Sequence, residues 1–163
     1  MTVRPFLNWP DKRLRTAVDE VVDITDDIKI IWADMVETMD AMPGVGLAAP
    51  QIGVMMQLAV VDTTLERNRR ILLANPSVLA ASEEMNTYDE ASPNLVGVSA
   101  PIIRPKNVTV RYLNEDGMIT RRDFTGLEAT SVQHQIDHLQ GKMYFDNLGR
   151  VKRDMLLRKA RKA

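Results

Sequence analysis

No cysteine occurs anywhere in the 163 residues. This excludes a disulfide framework and every thiolate-ligated metal site, and it fits a reducing compartment. Aromatic residues make up 5% of the chain and histidine occurs twice, as His134 and His138, so imidazole chemistry is confined to one short stretch. No apolar run approaches the ~20 residues that a membrane span requires. The N-terminal MTVRPFLNWPDKRLR lacks an apolar core of signal-peptide length, so a cytoplasmic protein with no membrane partner is expected. Neither sign of charge is in surplus: 21 Lys and Arg face 22 Asp and Glu. Without a global field to gather polyanions, no specific DNA partner is expected. What is present, 45% hydrophobic residues over this length, suits one domain over 1–163.

Residues 1–10, with Pro5 and Pro10, read as extended, and Asp11 caps a short helix expected to run through Leu14 and Val18. A helix is expected from Thr25, with Ile28, Ile31, Met35, Met39 and Met42 as its apolar stripe and Pro43-Gly44 as its end. Short apolar runs then predict strands at Met56–Val61, Ile71–Ala74 before a break at Asn75-Pro76, and Val78–Ala81. Val108, Val110 and Tyr112 alternate with polar neighbours, and across the turn Asn114–Gly117 the segment Met118–Phe124 returns as a hairpin partner. Gly126–Gln140 reads as a helix stopped by Gly141, with Val132, Ile136 and Leu139 on one side and the histidines on another. A last helix over Arg150–Ala163 carries seven basic residues against Asp154. The order of elements predicts an α+β fold, with strongly bent antiparallel sheet around the His-bearing helix.

Two histidines four residues apart share one helical face and are spaced to grip one divalent ion. In His134-Gln135-Ile136-Asp137-His138, however, the position where a metal hydrolase needs a proton-accepting glutamate holds an amide. Two further segments stand out. Gly44-Val45-Gly46-Leu47-Ala48-Ala49-Pro50-Gln51 combines small residues that permit close approach with an amide able to donate to an oxygen. Glu90-Ala91-Ser92-Pro93-Asn94 is the second. In order and spacing, these three segments resemble the GxGLAAxQ, EGCLS and QHExDHLxG motifs of the peptide deformylase family.

The resemblance implies a peptide-deformylase-like fold and, in active members, removal of the formyl group from the N-terminal methionine of new polypeptides. There a divalent metal, usually iron(II), is held by two histidines and a cysteine. His134 and His138 match the metal histidines, Gln51 the oxyanion-binding glutamine, and Glu90 the opening acid of its motif, which pairs with Arg104 in a structural role. Gly44, Val45, Gly46, Leu47, Gln51 and Asn94 are the expected substrate contacts. Three positions depart. Ser92 replaces the cysteine ligand, and a hydroxyl is a poor ligand for iron or zinc. Gln135 replaces the catalytic glutamate, whose assistance is worth typically ~10²–10⁴ in rate. Pro93 replaces a leucine whose N–H helps hold the oxyanion, a donor worth typically ~10²–10³. Asp137 is expected to accept a hydrogen bond that orients a neighbouring group.

The expectation is therefore a deformylase-like chain with little or no deformylase activity that keeps a pocket for peptide N-termini. A divalent ion (iron, zinc or nickel) would be held weakly or not at all. One alternative is a divergent metal-dependent amide hydrolase using His134 and His138 with an oxygen ligand from Ser92, Asn94 or Asp89. Another is a ribosome-associated binding protein acting through the basic helix at 150–163.

Overall fold

The computed structural model describes residues 2–162. Its first long helix, α1 (Asp26–Ala41), begins where Thr25 accepts a hydrogen bond from the Ile28 N–H at 3.3 Å, with Asp26 and Asp27 in the first turn. Ile28, Trp32, Met35, Val36 and Met39 form its buried stripe, with Ile31 and Met42 packed at its margin.

Five strands form one antiparallel sheet in the order β1 (Gly46–Ala48), β2 (Leu58–Val61), β3 (Ile71–Ala81), β6 (Asn107–Leu113) and β7 (Ile119–Thr125). A second sheet is a two-stranded hairpin of β4 (Met85–Ser92) and β5 (Leu95–Pro105). The α2 helix (Gly126–Leu139) follows β7 directly and packs Ala129, Val132 and Ile136 on the five-stranded sheet, against Val61, Leu73, Val110 and Phe124. Its opposite face is also buried, because His134 and His138 turn toward the hairpin side. The last helix, α3 (Arg150–Lys162), covers β5 through Leu156, Leu157 and Ala160; the final residue of the expected helix, Ala163, lies outside the described residues. Among the described residues no helix is long and apolar enough to cross a membrane.

Three local expectations are corrected. The helix after Asp11 is a single 3-10 turn over Lys12–Arg15 that does not reach Val18. Asn75-Pro76 does not end a strand: β3 runs through it as a register shift between Ala74 and Ser77 against β6. Asn75 takes a φ of 52° and bonds both the N–H and the carbonyl of Val21 at 2.8 Å, a left-handed conformation that Asn tolerates. The β4–β5 hairpin was not anticipated. Its inner face carries Glu90, Ser92 and Arg104 beside Ala100 and Ile102, which conceals apolar alternation, and Pro93, Pro101 and Pro105 read as breakers.

Candidate active site

Position 134 sits on α2 where the hairpin crosses it. The Nδ1 of His134 lies 2.7 Å from Glu90 Oε1, and Glu90 is gripped in turn by Arg104, whose Nε and Nη2 donate at 2.7 and 2.9 Å. Arg104 also donates through Nη1 to Asp137 at 2.9 Å. Burial alone would push the Glu90 carboxyl upward, but the bonds from His134 and Arg104 outweigh it and hold the group below its ordinary value. Ionised Glu90 therefore accepts from His134 Nδ1–H. The Nε2 atoms of His134 and His138 stand 3.1 Å apart. Burial, followed by the nearby His134 and Arg104 charges, pushes His138 well below its usual value, so that ring is neutral. Tyr144 stacks on His134 with ring centroids 6.0 Å apart.

Beside the imidazoles lies a second polar cluster. Gln51 is fixed by the 3-10 turn Ala49–Ile52, and its Oε1 accepts from Ala48 N–H at 2.9 Å. Its Nε2 donates to Asn94 Oδ1 at 2.8 Å and to Ser92 Oγ at 3.4 Å. Ser92 Oγ donates to Asn94 Oδ1 at 3.0 Å and accepts from Asn94 N–H at 3.3 Å. Asn94 Nδ2 donates to the carbonyls of Leu7 at 2.7 Å and Gln51 at 3.0 Å. Gln51, Ser92 and Asn94 are thus bound to one another, with the N-terminal segment strapped over their back.

In front of both clusters is a cavity of about 540 Å³. Its walls include Met42, Tyr88, Pro93, Leu95, Val98 and Leu127, and Gln51, Ser92, Thr130, His134 and Gln135 contribute polar groups to its lining. Gly46 lets Gln135 approach, since a Cβ there would collide with Gln135 Nε2 and Ser131 Oγ. Ser131 Oγ donates to Val45 O at 2.8 Å, and Arg67 Nη2 donates to Gly44 O at 2.5 Å; these bonds fix the rim.

Of the expected contacts, Gly44, Val45, Gly46 and Gln51 line the cavity, whereas Leu47 turns wholly into the core against α1. Asn94 is buried behind Gln51 and Ser92 and does not reach the lining. Asp89 is exposed, and among the described residues no group of three or more His, Cys, Asp or Glu side chains is placed to hold a metal ion. Glu90 does more than pair with Arg104, because it also orients His134. That role joins residues 44 positions apart and is invisible to local pattern. Thr130 and Ser131 were missed too, although their spacing of three and four before His134 places them on one helical face.

Two imidazole nitrogens 3.1 Å apart fit adjacent positions on one ion with bonds of ~2.0–2.1 Å. The rest of the donor set does not fit. The Ser92 hydroxyl is committed to Asn94 and Gln51, and an alcohol resists the ionisation that makes a thiolate a ligand.

An α+β scaffold carrying two convergent imidazoles on a central helix, with an amide loop and a carboxylate behind them, defines a metal-hydrolase type of site. The family model described as polypeptide deformylase matches residues 3–154, and the chain belongs to that family. Among its relatives is a peptide deformylase of Methylocella silvestris, 39% identical over 168 residues, covering 100% of this chain and 86% of the other. One of Rhizobium meliloti is 39% identical over 165 residues, covering 100% and 95%. The fold superposes on a peptide deformylase crystal structure from Legionella pneumophila with a TM-score of 0.92 at 34% identity, covering 99% and 95% of the two chains. A crystal structure of the Ehrlichia chaffeensis enzyme in complex with actinonin gives 0.92 at 32%, covering 99% and 98%.

Proposed function

We propose that this member of the family receives peptide N-termini and has little or no N-formylmethionine deformylase activity. The observation that carries the reading is the closed Gln51–Ser92–Asn94 cluster. Gln51 Nε2 is engaged by Asn94 Oδ1 at 2.8 Å and lies 3.4 Å from Ser92 Oγ, so the family's oxyanion donor is drawn into this cluster, and Pro93 has no N–H to add. Gln135 holds the place of the glutamate but accepts no proton; it can only orient a water or a carbonyl. The apolar walls and open mouth are what remain useful, and they suit an apolar first residue followed by backbone. Assay of the purified full chain on formyl-Met-Ala-Ser with added iron(II), nickel, cobalt or zinc tests this. Turnover at least about 10³-fold below an active relative is expected, and turnover near that relative overturns the reading.

A second reading, a divergent metal-dependent amide hydrolase, is favoured by the 3.1 Å imidazole pair and its Glu90 support. It requires an oxygen ligand other than a committed Ser92. Near-stoichiometric iron, zinc or nickel in elemental analysis after growth in supplemented medium supports it, and metal-free protein counts against it.

A separate proposal concerns α3, which exposes Arg150, Lys152, Arg158, Lys159, Arg161 and Lys162. We infer that this face contacts ribosomal RNA phosphates, with the strong salt dependence such contacts carry. Co-sedimentation with ribosomes at low salt, lost on deletion of residues 150–163, is the expected result; equal sedimentation of the truncated chain contradicts it.

A further inference from the structure

A second cavity, of about 380 Å³, lies on the five-stranded sheet and shares no lining residue with the cavity in front of the imidazoles. Strand register explains its chemistry. Tyr112 pairs with Thr120 and Val110 with Arg122 across β6 and β7, so Tyr112, Thr120 and Arg122 stand on one face of that hairpin. Arg70 joins them from the segment that enters β3, which borders β6 on its other edge. Among the described residues neither guanidinium forms an ion pair or a hydrogen bond, although Arg67 and Arg69 nearby are taken by Asp40 and Glu128. Arg122 has only the ring of Phe124, 5.7 Å away.

Neutral donors face the same space. Asn114 Oδ1 accepts the N–H groups of Asp116 and Met118 at 2.9 and 3.1 Å, which leaves its NH2 as the free end of the amide. Tyr112 is 4% exposed and lines the cavity, and its hydroxyl has no hydrogen-bond partner among the described residues. The one acid in this lining is Glu115, on the exposed turn. Two unpaired guanidiniums beside a common cavity repel each other, and a phenol held out of water without a partner is costly. An oxyanion relieves both. A guanidinium fork matches carboxylate and phosphate alike, but a carboxylate is used up by one fork, whereas a phosphate has oxygens for two forks and the neutral donors together.

We propose that this cavity binds a phosphate group, with Arg70 and Arg122 as its charged clamps and Tyr112 and Asn114 as neutral donors. The site is independent of the peptide cavity and of any chemistry there.

Isothermal titration of the full chain with inorganic phosphate, phenyl phosphate and acetate, at fixed ionic strength, tests it. Phosphate should bind with a Kd below about 1 mM, and acetate about tenfold weaker or more. Tighter binding of phenyl phosphate assigns the site to a phosphate ester whose organic part lies against Ile71; equal or weaker binding assigns it to the free ion. Arg70→Gln and Arg122→Gln should each weaken phosphate about tenfold, and Tyr112→Phe, which keeps the ring, roughly threefold to tenfold. Glu115→Gln should tighten it several-fold, because the one opposing charge is removed. Arg70 is exposed, so its substitution keeps the test valid even if Arg122→Gln disturbs the fold. Phosphate affinity unmoved by Arg70→Gln, acetate binding equal to phosphate, or no phosphate binding below about 10 mM overturns the proposal.

Discussion

A carboxamide and a carboxylate have nearly the same volume, and at position 135 the difference between them is a proton. Gln135 keeps the place on α2 and the contact with Gly46, so its shape is preserved while its basicity is gone. Position 92 shows a different adjustment. A hydroxyl is a poor ligand for iron or zinc; here Asn94 takes it up, along with the amide of Gln51. Asn94→Ala strips four side-chain bonds from this hub and leaves buried donors and acceptors unpaired. A loss of about 2–4 kcal/mol is expected, seen as a fall of roughly 5–15 °C in Tm. An unchanged Tm would show that water replaces the hub without cost. At Gly46 the effect is steric. Gly46→Ala displaces Gln135 and Ser131, and peptide affinity measured by titration should fall about tenfold or more.

At the scale of elements, the site is assembled where α2 meets the β4–β5 hairpin, and only one of those two was legible in the chain. The i, i+4 histidines and the glycine stop at 141 give α2 directly, because a helix advertises itself through local spacing. The hairpin hides because its inward positions hold Glu90, Ser92 and Arg104, residues that a half-buried strand ordinarily turns to water. They are buried here because they satisfy one another across the two sheets and α2, a relation among residues far apart in sequence. For the same reason the loop of Gly44 to Gln51 was recognisable while the walls at Met42, Tyr88 and Leu127, which come from separate elements, were not. A further link between elements is Asp146. It accepts from Met143 N–H at 2.8 Å and pairs with Arg15 and Arg153, tying the N-terminal segment, the turn at Tyr144–Asn147 and α3 together. Burial works to raise its carboxyl, and Arg15 with the Met143 N–H overcomes that and holds it below its ordinary value of 3.8. Its folded value is the lower one, so its contribution is complete above 3.8 and disappears as pH falls through the folded value. Asp146→Asn should therefore lower the Tm by several degrees at neutral pH, with the gap to the unmodified chain closing in acid as pH falls below 3.8 and through the folded value. A gap that persists in acid would assign the loss to packing instead of charge.

Across the whole molecule, the helix α2 serves as a wall between two halves. One half is conventional: a five-stranded sheet with apolar side chains on α1 and α2. The other half, the hairpin capped by α3 and the N-terminal strap, carries two of the three departures from the family pattern, Ser92 and Pro93, and the carboxylate that supports His134; the third, Gln135, lies on α2 itself. The family scaffold is kept to a TM-score of 0.92 against a peptide deformylase structure at 34% identity, so the frame is shared, and the changes at 92, 93 and 135 are local to the cavity wall. Base, sulfur ligand and oxyanion donor are changed together, and groups acting as a unit do not lose activity additively. Restoring them singly should accomplish little. The most direct measurement is formate release from formyl-Met-Ala-Ser, with iron(II), by the unmodified chain, by Ser92→Cys with Gln135→Glu, and by those two changes together with Pro93→Leu. The account predicts release near background from the first, partial activity from the second and more from the third. Rapid, ion-dependent release by the unmodified chain, matching the triple variant, would contradict it.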